Sequence, residues 1–119
     1  MKKVFRLKRK KDIELLMKIK KSVGNRYYAI YYTESEQLKV AVSASKKLGN
    51  AVLRNYQKRV VREIISKNMQ KLKNKHILII VKKLALDLEF IEKKKQIEYL
   101  LNKIIWYLIN VFFLIGKIY

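Results

Sequence analysis

The spacing of apolar residues changes repeatedly along the chain, and the order of these changes constrains the fold more than any other feature. Residues 12–20 carry apolar side chains at helical spacing, which predicts a short amphipathic helix. Residues 26–32 are rich in aromatic and branched side chains, which favours a strand. Residues 38–44 alternate, so that one face of a second strand carries Leu38, Val40, Val42 and Ala44. Because a short polar segment separates the two strands, we expect them to form a hairpin.

The second half of the chain returns to helical spacing. Gly49 allows a turn and Asn50 suits an N-cap, so a helix is predicted from residue 51 to about residue 67. Its predicted buried stripe is Leu53, Tyr56, Val60 and Ile64. The apolar run at residues 76–81 is typical of a central strand. A last helix is predicted from about residue 88 into the 100s, with an apolar face made of Ile97, Leu101, Ile104 and Leu108.

The predicted order is a helix, two or three strands, a helix, a strand and a helix, which is α-β-β-β-α-β-α with three strands, and it indicates a single small α+β domain over residues 1–119. An apolar C-terminal extension occupies about residues 105–119. The apolar run within it is about 12 residues long, short of the roughly 20 that a helix needs to span a bilayer. We therefore expect this extension to dock on the domain or to self-associate; binding at a membrane surface is an alternative.

The positive charge is concentrated in two segments. The chain has 29 Lys and Arg against 9 Asp and Glu, a net charge of +20. Ten of the bases lie in residues 1–21 and ten in residues 45–75. This regional distribution favours a polyanionic partner. A coding bias towards lysine is the alternative, but it does not explain why three of the six arginines fall within residues 54–62.

The predicted central helix has a basic sector opposite its buried stripe. Helical spacing aligns Arg54, Lys58 and Arg62 in one row, with Asn55 and Arg59 in the adjoining row. Arginine binds phosphate in a fork and stacks on nucleobases, so this sector is a candidate nucleic-acid surface. The alternative is an ordinary solvated helix face.

Four tyrosines in or near the first predicted strand add aromatic surface: Tyr27, Tyr28, Tyr31 and Tyr32. Alternation along a strand puts one pair inward and the other outward. The outward rings either stack on unpaired bases or pack against protein, and the pattern does not identify which pair is outward.

Catalysis by the protein's own side chains is not indicated. The chain has no cysteine and one histidine, His76, which excludes thiol catalysis, cysteine-based zinc sites and a His-rich metal site. His76 is expected to be structural. The carboxylates Glu34 and Glu36 fall in a predicted surface turn rather than a cleft. The basic start of the chain is unlike a secretory signal, so we expect a cytoplasmic protein.

One stretch resembles a known family closely. The sequence SASKKLGNAVLRNYQKRVVRE at residues 43–63 resembles the signature of the bacterial ribonuclease P protein subunit. The similarity continues in order with FRLKR at 5–9, NRYY at 25–28 and LIIVKK at 78–83, and spans roughly residues 5–101. It implies a small α+β fold with a left-handed βαβ crossover.

The resemblance also implies a function. In this family a catalytic RNA with bound Mg²⁺ removes the 5′ leader of precursor tRNA, and the protein assists. The residues that would bind the catalytic RNA are Lys46, Lys47, Asn50, Arg54, Asn55, Lys58, Arg59 and Arg62. The residues that would bind the leader are Ile13, Met17 and Tyr31. The implied partners are ribonuclease P RNA and precursor tRNA; no small-molecule substrate, membrane span or oligomer is implied.

The chain departs from the family pattern at two places. The family usually has arginine at the position of Tyr56, and phenylalanine at the positions of Ile13 and Met17. Aliphatic side chains exclude water but lose stacking worth about 1–3 kcal/mol per base, so weaker binding of the leader is expected. The alternative function is that of a structural ribosomal-type RNA-binding protein without a processing role.

Overall fold

The computed structural model describes the backbone of residues 5–118 and the side chains of residues 5–106. The helices and strands occur in the predicted order α-β-β-β-α-β-α. They are α1 (Lys10–Ile19), β1 (Ser22–Gly24), β2 (Tyr28–Glu34), β3 (Lys39–Ser43), α2 (Ala51–Ser66), β4 (Lys75–Val81) and α3 (Phe90–Ile118). Short 3₁₀ turns lie at Lys46–Leu48, Met69–Leu72 and Lys83–Asp87. The α+β fold class is therefore confirmed.

The four described strands form one sheet in the order β1-β2-β4-β3. β4 pairs antiparallel with β2 and parallel with β3, so the predicted hairpin between the second and third strands is wrong. β4 takes the central position because both of its faces are apolar: Ile77 and Ile79 are fully buried on one face, and Leu78 is 2% exposed on the other.

The hairpin in the structure instead joins β1 to β2. Its turn lies at Asn25, whose side-chain Oδ1 accepts hydrogen bonds from the backbone amides of Tyr27 and Tyr28, at 2.9 and 3.0 Å. Asn25 directly follows Gly24, the last residue of β1, and begins the turn that leads into β2.

α2 connects the parallel strands β3 and β4, which gives the βαβ unit that the resemblance implies. The handedness of this crossover stays a prediction. The larger core lies between the sheet and the two helices α2 and α3. The predicted stripe of β3 is confirmed: Leu38, Val40, Val42 and Ala44 are all buried. On α3, Ile97, Leu101 and Ile104 are buried as predicted, whereas the side chain of Leu108 lies outside the described residues.

α1 covers the opposite face of the sheet. Leu16 is its one buried residue, at 1% exposure, and it packs in a second, smaller cluster with Leu7, Ala41 and Leu78. The segment before α1 is anchored beside β3, where the backbone amide of Leu7 donates to the carbonyl of Val40 at 2.8 Å and Arg6 forms a parallel bridge with Val40. Arg6 and Leu7 are therefore held close to the strand that leads into α2.

The C-terminal extension begins inside α3, which continues to Ile118. The side chains beyond residue 106 are outside the described residues, so the predicted docking or self-association of this extension stays a prediction. Across the described residues, no helix is both long and apolar enough to cross a bilayer.

Candidate RNA interface

The entry into α2 is fixed by Gly49 and Asn50. Gly49 has a backbone φ of +149°, a conformation that residues with a side chain rarely adopt. A Cβ added at this position would lie 2.7 Å from Leu53 Cδ2. The Oδ1 of Asn50 accepts a hydrogen bond from the Leu53 amide at 2.9 Å, so the predicted N-cap is confirmed. Lys46, Lys47 and Asn50 are exposed where the chain enters the helix.

The predicted basic sector lies on the outer side of α2. Asn55 and Arg59 are exposed, and Arg54, Lys58 and Arg62 are half-buried along its border. The helix buries Gln57, Val60, Val61, Ile64 and Ile65. Tyr56 is 50% exposed, so its place in the predicted buried stripe is wrong, and Gln57 takes the inward position with 2% exposure.

A groove of about 360 Å³ runs along this sector and brings in a residue from the start of the chain. Its lining consists of Arg6, Asn55, Arg59, Arg62, Glu63 and Ser66. Arg6 reaches the groove because its backbone bridges to β3, the strand before α2. Sequence reasoning from helix periodicity missed Arg6, since the contact is between distant segments. The basic segment at residues 1–21 was the available signal.

The three arginines that line this groove form no ion pair within the described part of the chain, and one carboxylate, Glu63, shares the lining. Burial lowers the pKa of Arg62, and the neighbouring Arg6 lowers it further. The Nε atoms of Arg6 and Arg54 are buried without a hydrogen-bond partner in the described part of the chain. The ion pairs formed by described side chains are Lys75–Glu34 and Lys95–Glu92, and neither involves α2. An anion would stabilise such a cluster of cations, so the groove is a candidate site for anions.

The three predicted leader residues lie on or beside the α1 face of the sheet. Ile13 and Tyr31 are half-buried and pack against the smaller cluster, so the structure brings them together. Met17 is on the same helix but 46% exposed. The exposed side of α1 also presents Leu15 and Ile19, at 55% and 44% exposure, which the sequence reasoning did not single out.

The four tyrosines do not divide into the predicted pairs. Tyr28 is fully buried, and burial raises its pKa to about 12. Tyr27, which precedes β2, and Tyr32 pack against the larger core. Tyr31 alone of the four packs against the α1 side, because alternation along β2 places it opposite Tyr28 and Tyr32.

His76 and Glu34 each contact a polar side chain of the described protein. His76 Nε2 lies 3.0 Å from Ser35 Oγ, in keeping with the predicted structural histidine. Glu34 pairs with Lys75 at 3.5 Å, and its side chain is 58% exposed. In the described part of the chain, no three His, Asp or Glu side chains come together in a way that suits a metal ion.

The comparison with known proteins identifies the family to which this chain belongs. The family model described as ribonuclease P matches residues 1–105. The chain belongs to the ribonuclease P protein family. The ribonuclease P protein component of Bacillus velezensis is 41% identical over 106 residues, which cover 87% of this chain and 91% of that protein. The protein component of Streptococcus agalactiae is 37% identical and covers 86% and 95%.

Solved ribonuclease P proteins share the fold. The protein from Staphylococcus aureus superposes with a TM-score of 0.77 at 32% identity, covering 82% of this chain and 93% of that chain. The protein from Thermotoga maritima gives a TM-score of 0.76 at 27% identity, covering 82% and 96%. The match to the ribonuclease P family ends near residue 105, where the predicted C-terminal extension begins. A role in tRNA processing follows from the family and is favoured over the ribosomal-type alternative.

Proposed function

We propose that this chain is the protein subunit of a ribonuclease P in which α2 binds the catalytic RNA and the α1 face of the sheet binds the 5′ leader of precursor tRNA. The observation that carries the proposal is the groove that brings Arg6 beside Arg59 and Arg62, because none of the three forms an ion pair with a described carboxylate, although Glu63 also lines the groove. A polynucleotide supplies phosphates at regular spacing and stabilises such a cluster.

The proposed surface for the catalytic RNA extends from the 3₁₀ turn before α2 to the fourth turn of the helix. Its members are Lys46, Lys47, Asn50, Arg54, Asn55, Lys58, Arg59 and Arg62, to which we add Arg6. Asn50 keeps its Oδ1 occupied in the N-cap, so its side-chain amide NH₂ is the group left to donate. The arginines provide forked donors for phosphate oxygens.

The proposed surface for the leader is smaller and less charged. Tyr31 and Ile13 would contact one or two nucleotides across the sheet, and Met17 would extend that contact along α1. A single aromatic ring among aliphatic side chains gives limited stacking, which agrees with the expected weaker affinity for the leader.

In this proposal the RNA performs the cleavage. The described residues offer no metal site of their own, so Mg²⁺ is assigned to the RNA subunit. The protein contributes cationic surface that lowers the repulsion between two polyanions, and the reaction takes place in the cytoplasm.

Cleavage of precursor tRNA at low Mg²⁺ concentration tests the proposal. The cognate ribonuclease P RNA is assayed alone and with the purified chain, and a third reaction contains the chain alone. We expect the complex to cleave about tenfold faster than the RNA alone, or more, which corresponds to a lowering of the activation free energy by about 1.4 kcal/mol. The chain alone is expected to be inactive. Cleavage by the chain alone, or no stimulation of the RNA, would contradict the proposal.

Substitution of Tyr31 tests the leader surface separately. Tyr31→Leu keeps an apolar side chain against the smaller cluster but removes the ring. We expect about tenfold weaker binding of precursor tRNA to the assembled complex and unchanged binding of mature tRNA, because stacking on one base is lost. Tyr31→Phe is the matched control and is expected to bind both RNAs normally. Equal losses for precursor and mature tRNA would remove Tyr31 from the leader surface.

A further inference from the structure

Tyr56 lies on the border of the basic sector of α2. Its side chain is 50% exposed, and its neighbour Gln57 is turned into the core at 2% exposure. Arg59, which lines the cationic groove, lies three residues later and therefore on the adjoining part of the same helix surface. Val52, one turn earlier, is 79% exposed. An aromatic ring thus stands beside the groove where a polyanion is proposed to bind.

A buried lysine from α3 lies against this ring. Lys93 is 4% exposed, and its Nζ donates a hydrogen bond to Gln57 Oε1 at 3.1 Å. The same Nζ lies 5.5 Å from the centre of the Tyr56 ring. A cation over an aromatic ring is attracted to its π-electrons, most strongly where water is excluded. Lys93 therefore links α3 to α2 and restrains the orientation of the Tyr56 ring.

We propose that Tyr56 is a stacking platform for an unpaired base of the RNA that binds along α2, and that Lys93 is the positioning residue that holds the ring. This inference rests on the proposed function, since it requires RNA on α2. A tyrosine carries no charge for a phosphate, but its ring offers a flat surface on which any base stacks. Because Lys93 already restrains the ring on the protein side, little side-chain freedom is lost when a base binds to its exposed side.

Stacking and phosphate binding differ in their response to salt. Phosphate contacts release counterions, so their loss makes the salt dependence of binding less steep. Loss of a stacked base weakens binding without changing this slope. The affinity of each variant for the cognate ribonuclease P RNA is therefore measured over a series of salt concentrations.

We expect Tyr56→Leu to weaken binding by about 10- to 100-fold with an unchanged salt slope. Tyr56→Phe keeps the ring and is expected to bind normally; a loss as large as that of Tyr56→Leu would assign the effect to the hydroxyl and overturn the proposal. Tyr99→Leu is the matched control, because Tyr99 is 55% exposed on α3 with Lys103 Nζ 4.9 Å from its ring centre, away from the groove lining. It is expected to bind normally.

Arg59→Ala separates failure of this inference from failure of the proposed function. If Arg59→Ala reduces the salt slope while Tyr56→Leu binds normally, RNA binding on α2 is supported and the proposed stacking on Tyr56 is wrong. If neither variant affects binding, both proposals are wrong. A reduced salt slope in Tyr56→Leu would mean that the ring acts by positioning charged side chains that bind phosphate, which would also contradict stacking on Tyr56.

The role of Lys93 is tested by combining substitutions. Lys93→Met removes the ammonium but keeps a long side chain, and circular dichroism checks that the variant is folded. We expect it to weaken RNA binding severalfold when Tyr56 is present and to have no further effect in Tyr56→Leu. A general structural role would weaken binding equally in both backgrounds and would contradict positioning by Lys93.

Discussion

Replacement of both Arg59 and Arg62 by alanine is expected to weaken binding of ribonuclease P RNA by about 100-fold or more, since each charged hydrogen bond contributes about 1.5–3 kcal/mol. Both side chains line the groove, and neither forms an ion pair with a described residue. The salt dependence of binding should also become less steep, by about 0.7–0.9 in slope for each lost phosphate contact. Filter binding or fluorescence anisotropy at several salt concentrations measures both quantities.

A control variant removes two positive charges from another part of the protein surface. Lys73 and Lys95 are exposed and do not line the groove, so their double alanine variant should retain most of the affinity and most of the salt slope. The free protein offers a second check. Burial and the neighbouring Arg6 both disfavour the charged form of Arg62. The melting temperature of the double alanine variant at Arg59 and Arg62 should therefore be no lower than that of the unchanged protein. An unchanged salt slope, or a large loss of stability, would contradict an RNA-binding role for these arginines.

Leu16→Ala is expected to destabilise the protein by about 2–5 kcal/mol, the usual cost of truncating a fully buried leucine. Leu16 is the one buried residue of α1 and fills the smaller cluster against the sheet. For a domain of this size the melting temperature should fall by about 10 °C or more. Since α1 also carries Ile13 and Met17, the assembled complex should lose its preference for precursor over mature tRNA. Thermal unfolding and the two tRNA affinities measure these effects.

Leu15→Ala is the matched control for this substitution. It makes the same chemical change on the adjacent residue, whose side chain is 55% exposed, so we expect a change in stability within about 0.5 kcal/mol. Equal destabilisation by both variants would mean that α1 is not attached to the sheet through Leu16. A stable Leu16→Ala variant that still prefers precursor tRNA would separate the leader surface from α1.

Local patterns located the three helices and the strands β2, β3 and β4, because the causes of these elements lie within a few residues, but they did not locate the short strand β1. The N-cap at Asn50 needs only the amide of Leu53, and the buried face of β3 needs only alternation. The pairing of strands was predicted wrongly, because a hairpin between β2 and β3 is the shortest connection but leaves β4 without a central position. Burial of β4 on both faces outweighs the shorter connection.

Tyr56 shows that local spacing also fails to predict which side of a single helix is buried. Its spacing from Val60 fits an inward stripe, but the inward side of a helix is set by what packs against it. Lys93 on α3 forms a hydrogen bond with Gln57, so Gln57 is buried and the Tyr56 ring lies at the surface. No periodicity within residues 51–67 contains this information.

The sequence by itself determined the order of the elements, the basic side of α2 and the family, since these depend on residue types and short spacings. The tertiary structure alone decided that β4 separates β2 from β3, that Arg6 joins Arg59 and Arg62, and that Tyr56 faces outward. Each of these depends on contacts between segments distant in the chain. Such contacts form when apolar surfaces are buried together, and local spacing does not specify which distant surfaces meet.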